Sequence, residues 1–482
     1  MPTRKLYQRF EIIAVLLFMI GIYFYILFNN YWFLILPFLW ICLQYIFNYT
    51  ITATENIFWL MIFLLPLSTE LNVTDSLGLD FPDEPLLMLL TGFFFVKWMY
   101  KPQIFPISLL KSFTFLLILL HLFWIVITCF FSVDTWLSTK YFLAKIWYVI
   151  PFVLLLQIII SSKTDILKLA LCLLAPMFFV VTQTIIRHSL YAFSFEGIKQ
   201  TLSPFFRNHV VYSAMLVCLL AVLWCVRKLT PVTNHYSKLI NTGLIIGLIA
   251  LMLSFSRGAW LALIMGIVTV LIIKKKWMIH FWGTAIISVV IFFSWLMYHN
   301  HYLRFAPDHD HTIFHTEFAA HLQATMEMKD VSNAERFYRW VAGINMIVTK
   351  PIVGFGPNNF YNNYKNYAQN IFKTWVSDNK DHSTVHNYFL LIALEQGLIG
   401  LMIFLALLVC VFWKLQKLYH QLQSFFYRNV ALTTSIILMM IVTLNFLSDL
   451  IETDKIGSLF WMCIGISIWL ETKLRNEQQS IA

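Results

Sequence analysis

Apolar runs of near-membrane length recur from residue 11 to residue 470, and they constrain this chain more than any motif in it. About twenty apolar residues span the hydrocarbon of a bilayer as a helix, and in lipid only helices or closed barrels satisfy their own backbone. The runs fall at 11–29, 31–47, 56–68, 86–100, 112–132, 141–160, 165–186, 209–226, 239–253, 258–273, 278–298, 386–413, 429–450 and 456–470. These are about fourteen segments, and a re-entrant pair at the short third and fourth would leave about twelve. Composition closes the alternatives. With 60% apolar and 12% charged residues, the chain lacks the charge to surface a set of soluble domains, which also excludes disorder, coiled coil and collagen. The fold expected is an all-α polytopic membrane protein of about 12–14 transmembrane helices with one large helical loop.

The formal charge of +10 is explained by orientation before any nucleic-acid partner is invoked. If the N-terminus is cytoplasmic, alternate connections carry Arg4, Lys5 and Arg9; Lys97, Lys101 and Lys111; Lys163 and Lys168; Arg227, Lys228 and Lys238; Lys274 to Lys276; Lys414, Lys417 and Arg428; and Lys473 and Arg475. The acidic connection with Glu70, Asp75, Asp80, Asp83 and Glu84 then lies outside. The expected organisation is a transmembrane bundle over 1–298 with about 11 spans, a large external loop over 299–385, and about 3 further spans over 386–482. Within the loop, 331–349 has helical spacing, with Ser332 or Asn333 as its cap. The basic N-terminal stretch reads as the start of a retained first span, not as a cleaved signal. All seven cysteines fall inside apolar runs without a CxxC pair, so no disulfide framework or zinc-thiolate site is expected. No internal repeat is visible.

Ionisable residues are the functional candidates in such a chain. Arg257, in Ser254-Phe255-Ser256-Arg257-Gly258, stands where a helix would start outside, its free N–H groups and positive dipole end facing outward. An anion site and an arginine snorkelling to headgroups both fit. In the loop, Arg336 and Trp340 share one helical face, and Glu335 with Arg339 forms an i, i+4 pair. Arginine grips two phosphate oxygens at once, yet a solvated amphipathic helix looks the same in sequence. Gly354 and Gly356 in the run from Pro351 to Phe360 read as a turn, and only weakly as a phosphate cradle. His386 and Asn387 stand at a second outward helix start, where the histidine is either a proton acceptor or an interfacial polar cap. Glu395, more than two turns further in, reads as a structural partner, and His121 and Lys145 as buried helix contacts. His299, His301, His309, His311, His315 and His321 lack the order of a zinc motif and read as incidental loop residues.

Taken in order, SFSRGAWLAL at 254–263, Arg336 with Trp340, PIVGFGPNNF at 351–360 and HNYFLLIALEQGLIGL at 386–401 resemble the O-antigen ligase and polymerase family of bacterial inner-membrane proteins. Phe205-Phe206-Arg207-Asn208-His209 is similar to that family's Asn-His segment. The resemblance covers roughly 204–401. It implies an inverting glycosyltransferase at the periplasmic face of the inner membrane. The donor would be a glycan on undecaprenyl diphosphate, and the acceptor a sugar hydroxyl of lipid A-core in a ligase or the next repeat unit in a polymerase. A protein O-oligosaccharyltransferase is a further variant. By position Arg257 and Arg336 bind the diphosphate and His386 activates the acceptor, with Asn387, Trp340, Arg207 and His209 in support. No cofactor and no metal is expected. The rate should fall as pH drops through about 6.5, the ordinary histidine range. Arg339 and Arg304 should tolerate replacement by lysine better than the two site arginines. A lipid-linked glycan flippase or transporter would instead be expected to line a central cavity with charge and often to show a repeat.

Overall fold

In the computed structural model the chain is described over residues 19–20, 53–74, 77–105, 107–233, 235–305, 331–369 and 384–479. Apart from residues 19–20, the first two expected spans lie outside these residues, as do His309, His311, His315 and His321. The elements are α1 (Ala53–Leu67), a hairpin of β1 (Thr69–Thr74) and β2 (Leu77–Phe81), α2 (Asp83–Tyr100), α3 (Phe113–Phe130), α4 (Thr135–Ile159), α5 (Lys163–Ser189) and a short α6 (Phe195–Thr201). There follow α7 (His209–Leu229), α8 (Tyr236–Leu253), α9 (Arg257–Lys274), α10 (Met278–Met297), α11 (Val331–Thr349), α12 (Phe360–Asn363), α13 (Tyr388–Gln421), α14 (Phe425–Phe446) and α15 (Asp454–Gln479).

The protein is an all-α polytopic membrane protein. Each of the twelve expected segments that falls in the described residues forms a helix, and nine helices there are long and apolar enough to cross a bilayer. The other three are α1, which is short, and α2 and α15, whose first turns carry Asp83 and Glu84 or Asp454. Carboxylates at those starts complement the positive end of the helix dipole.

The helix ends sort by charge. At the lysine-rich end, Glu471 of α15 accepts from Ser112 at 2.8 Å and pairs with Lys414 of α13 and Arg475. There too Trp469 donates to the Ile160 carbonyl at 2.7 Å, and the N–H of Met278 to Gln416 at 3.0 Å. At the opposite end, Lys455 of α15 donates to the Leu65 and Ser68 carbonyls at 3.1 and 2.9 Å and to the Ser68 hydroxyl. The hairpin lies there as well and sets Glu70 opposite Asp80. Like charges facing across a ladder repel, and the Arg207 guanidinium, 3.3 Å from Glu70, offsets this.

α14 is the axis of the bundle, packed by α7, α9, α13 and α15. Its contact with α9 is close because Gly258, Ala262 and Gly266 recur every fourth residue, the small-residue spacing that lets membrane helices approach. A Cβ on Gly266 would lie 2.2 Å from Met440 Cε. α11 begins at Val331, so Ser332 and Asn333 sit in its first turn and are not its cap.

Candidate active site

α11 turns one face inward. Glu335, Tyr338, Arg339, Ala342 and Met346 are buried at helical spacing, so the ion pair expected on the helix lies inside. Arg339 Nη2 donates to Glu335 Oε2 and Nη1 to the Thr384 carbonyl, both at 3.2 Å. Trp340 Nε1 donates to the Val385 carbonyl at 3.0 Å. The helix is thus fastened to the two residues that precede His386. This corrects the expectation for Arg339: with 6% of its surface exposed and two partners, it is not a site where lysine is harmless. The Arg304 side chain lies outside the described residues. Arg336, one turn before Trp340, is half-buried on the same helix.

His386 occupies a reversal. Its φ is +53°, a left-handed conformation that histidine adopts more readily than β-branched residues do. Asn387 then caps α13, its Oδ1 accepting from Leu390 N at 3.0 Å, so Asn387 acts on the helix and is 2% exposed. The Tyr388 N–H donates to the Ser448 carbonyl at 3.1 Å, which ties this turn to the one after α14. That second turn supplies Asp449, which sequence reasoning missed. The Thr384 hydroxyl donates to Asp449 Oδ2 at 2.6 Å and accepts from the His386 N–H at 3.3 Å. His386 Nδ1 stands 3.9 Å from Asp449 Oδ1, too long for a hydrogen bond but within reach of its charge. The imidazole keeps 36% of its surface open.

Burial, then the positive charges of Arg339 and Arg336, lower the His386 pKa below its ordinary 6.5. Burial raises Asp449, an effect opposed by the Thr384 hydrogen bond. A lowered histidine pKa keeps the neutral, proton-accepting form populated as pH falls through 6.5. The acid limb of any base-dependent rate therefore moves below the ordinary histidine range, a correction to the expectation from sequence.

Arg257 is the first residue of α9, after a left-handed Phe255 (φ +52°), and Ser256 provides no side-chain cap. Its neighbour Gly258 faces Leu444, with an added Cβ 3.7 Å from Leu444 Cδ2. The Leu444 carbonyl accepts from the Ser448 hydroxyl at 2.7 Å. Because the Ser448 carbonyl in turn holds Tyr388, the start of α9 and the start of α13 meet the same terminal turn of α14. Arg257, Arg336, Trp340, His386 and Asn387 thus gather at one end of the bundle. Arg207 and His209 lie at the start of α7. Arg207 is 71% exposed in its pair with Glu70, and His209 opens α7 behind the cap Asn208, which accepts from Val210 N and Val211 N at 3.1 and 2.9 Å.

The turn that carries Asp449 also carries a second polar group. Lys145 of α4, with 3% of its side chain exposed, places Nζ 2.7 and 2.8 Å from the two carboxylate oxygens of Glu452, which also accepts from Tyr141 at 3.0 Å. Lys145 therefore pairs with the turn after α14. His121 is buried against Phe404, with ring centroids 5.8 Å apart. A signal for this turn was present in sequence: Asp449, Glu452 and Asp454 crowd one connection on the side where basic residues are scarce.

The glycine run is a lock and not a phosphate cradle. α13 is broken at Gly397 (φ +72°, ψ 176°), and the segment 351–360 fills the break. The Leu398 N–H donates to the Pro351 carbonyl at 2.8 Å, Phe355 N–H to Leu394 at 3.0 Å, and Gly356 N–H to Glu395 at 2.8 Å. Trp124 Nε1 covers the Gln396 carbonyl at 2.8 Å, and Glu395 Oε1 accepts from Phe360 N at 3.1 Å. Asn359, fully buried, accepts from Asp134 N at 2.9 Å and donates to Ser132 and Ser138 at 3.0 Å. The Gly354 and Gly356 N–H groups are taken by Lys350 and Glu395 and are not offered to a ligand. Among the described residues no group of three His, Cys, Asp or Glu is arranged to hold a metal ion.

Fold and site together define a multi-pass α-helical membrane protein with an arginine- and histidine-bearing site at one end of its bundle. Residues 242–405, about a third of the chain, match the family model for O-antigen ligase, so this segment is similar to members of that family. The matched segment runs from within α8 to the middle of α13 and includes Arg257, Arg336 and His386. No curated protein gives a match to the chain.

Proposed function

We propose that the protein is an inverting glycosyltransferase acting at the periplasmic face of the inner membrane. It moves a glycan from undecaprenyl diphosphate to a sugar hydroxyl of lipid A-core. The observation that carries this reading is the placement of His386 beside α11, its Nδ1 3.9 Å from Asp449, where burial and the charges of Arg339 and Arg336 favour the neutral imidazole. The acceptor oxygen attacks the anomeric carbon from the face opposite the phosphate. The new C–O bond forms as the bond to the diphosphate oxygen breaks, and the acceptor proton passes to His386. Arg257 and Arg336 meet the charge that builds on the leaving diphosphate, a role suited to a guanidinium fork and to the free N–H groups of a helix start. No step needs a metal or a cofactor. In this reading residues 1–298 and 386–482 carry the spans, and 299–385 is the external loop.

The test uses purified protein with a lipid-linked donor and a lipid A-core acceptor. His386→Ala should retain donor binding and lose transfer. Full transfer by that variant overturns the base assignment. In cells, a deletion that accumulates long lipid-linked polymer agrees with a ligase, whereas accumulation of single repeat units makes the protein a polymerase.

A further inference from the structure

We propose that Arg339 is a positioning residue for the transfer reaction: it holds Thr384, and through Thr384 both Asp449 and the backbone of His386, so that the imidazole presents a fixed nitrogen to the acceptor. This inference rests on the reading of His386 as the base. The chain of contacts is continuous. Arg339 Nη1 donates to the Thr384 carbonyl at 3.2 Å, the Thr384 hydroxyl donates to Asp449 at 2.6 Å, and the same hydroxyl accepts the His386 N–H at 3.3 Å. With Nδ1 turned toward Asp449, Nε2 is the nitrogen left for the acceptor.

Docking of α11 does not require this arginine. Trp340 already fastens the helix to Val385 one residue further along, and Tyr338, Ala342 and Met346 bury the same face. An apolar residue would fill the position without the desolvation that a buried ion pair suffers. The Arg339 Nε is buried without a hydrogen-bond partner, so the guanidinium is not there to saturate local acceptors. Its placement makes sense as an arm reaching from α11 to the turn that carries His386.

The charged groups that act on that histidine are Arg339 and Arg336 from α11, with Glu335 paired to Arg339, and Asp449 from the turn after α14, on which Glu452 acts in turn. Removing Arg339 and Glu335 together takes away a neutral pair but leaves His386 closer to Asp449 in charge. The ring then titrates nearer its ordinary value.

The experiment measures transfer at pH 7.5 and 5.5 by purified wild type, Arg339→Lys, Arg339→Gln, Glu335→Leu combined with Arg339→Met, and His386→Gln. Wild type should change less than about twofold between the two pH values. Burial and Arg336 still act on the ring in the combined variant, so it should lose more activity at pH 5.5 than wild type does but less than the roughly tenfold of an ordinary histidine. Arg339→Gln should move the same way, which covers the case in which the combined variant fails to fold. Arg339→Lys keeps the charge without the two-point hold, so its rate should fall at both pH values with the wild-type ratio. Wild-type rates at both pH values in the combined and Gln variants overturn the role of Arg339. Full activity in His386→Gln overturns instead the base on which it rests.

Discussion

Replacing Gly397 by alanine tests the lock between α13 and the segment 351–360. The backbone there (φ +72°, ψ 176°) belongs to a region that essentially only glycine occupies, at a cost of about 1–3 kcal/mol for any other residue. Space adds to this. A Cβ on Gly397 would fall 1.9 Å from the Ile352 oxygen and 2.3 Å from its carbon, both backbone atoms that no rotamer change can move aside. If the segment shifts, the bonds from Leu398, Phe355 and Gly356 across the break are lost together. At about 1 kcal/mol each in net terms, the total comes to about 4–6 kcal/mol. For a chain of this length the melting temperature in detergent should fall by about 4–6 °C. Size-exclusion profiles after a temperature series report this directly, with Gly283→Ala as the control. A Cβ at Gly283 meets nothing within 4 Å, and alanine there favours the α10 helix. A Gly397→Ala protein that melts with wild type and transfers glycan at the wild-type rate refutes the lock.

Two further outcomes follow from the site and its orientation. In a cysteine-free background, Ala192→Cys at the site end should react with an impermeant thiol reagent in intact cells and Lys275→Cys should not; the reverse pattern would put the reaction on the wrong side of the membrane. At matched membrane levels, lysine at Arg257 or Arg336 should reduce transfer nearly as much as alanine does, by about tenfold or more, because lysine keeps charge but not the two-pronged grip on a diphosphate. Near-normal rates in both lysine variants would leave these arginines as headgroup contacts.

The spans were readable because apolar run length and the sorting of lysines are local or additive properties. The helix at Val331–Thr349 was readable for the same reason, through its apolar spacing, although its expected cap at Ser332 or Asn333 was not. What escaped was set by partners far along the chain. Arg339 reads as a surface residue until Thr384, 45 positions on, accepts from it, and Asp449 reads as a loop carboxylate until Thr384 reaches back 65 positions. The stretch LEQGLIGL looks like uninterrupted helix, since the segment that breaks it lies some forty residues upstream. The glycines before Pro357 suggested a ligand for the same reason. Their N–H groups are consumed by Lys350 and, far along the chain, by Glu395.

The burial of α14 bears on how such a molecule can be made. In its most apolar stretch 89% of the residues are buried, against 11% for α10, and α15 is buried without interruption from Asp454 to Leu470. The two helices that everything else surrounds are the last described ones to leave the ribosome. Earlier helices must therefore wait in the bilayer as a loose, lipid-filled ring, with α9 and its small-residue face unpartnered. The end that carries His386 closes only when the keystone drops in, because the turn that brings Asp449 to His386 arrives with it. A premature stop just before Phe425 would leave Arg257, Arg336 and His386 translated and inserted but never assembled, and such a remnant should be a ready target for membrane quality control.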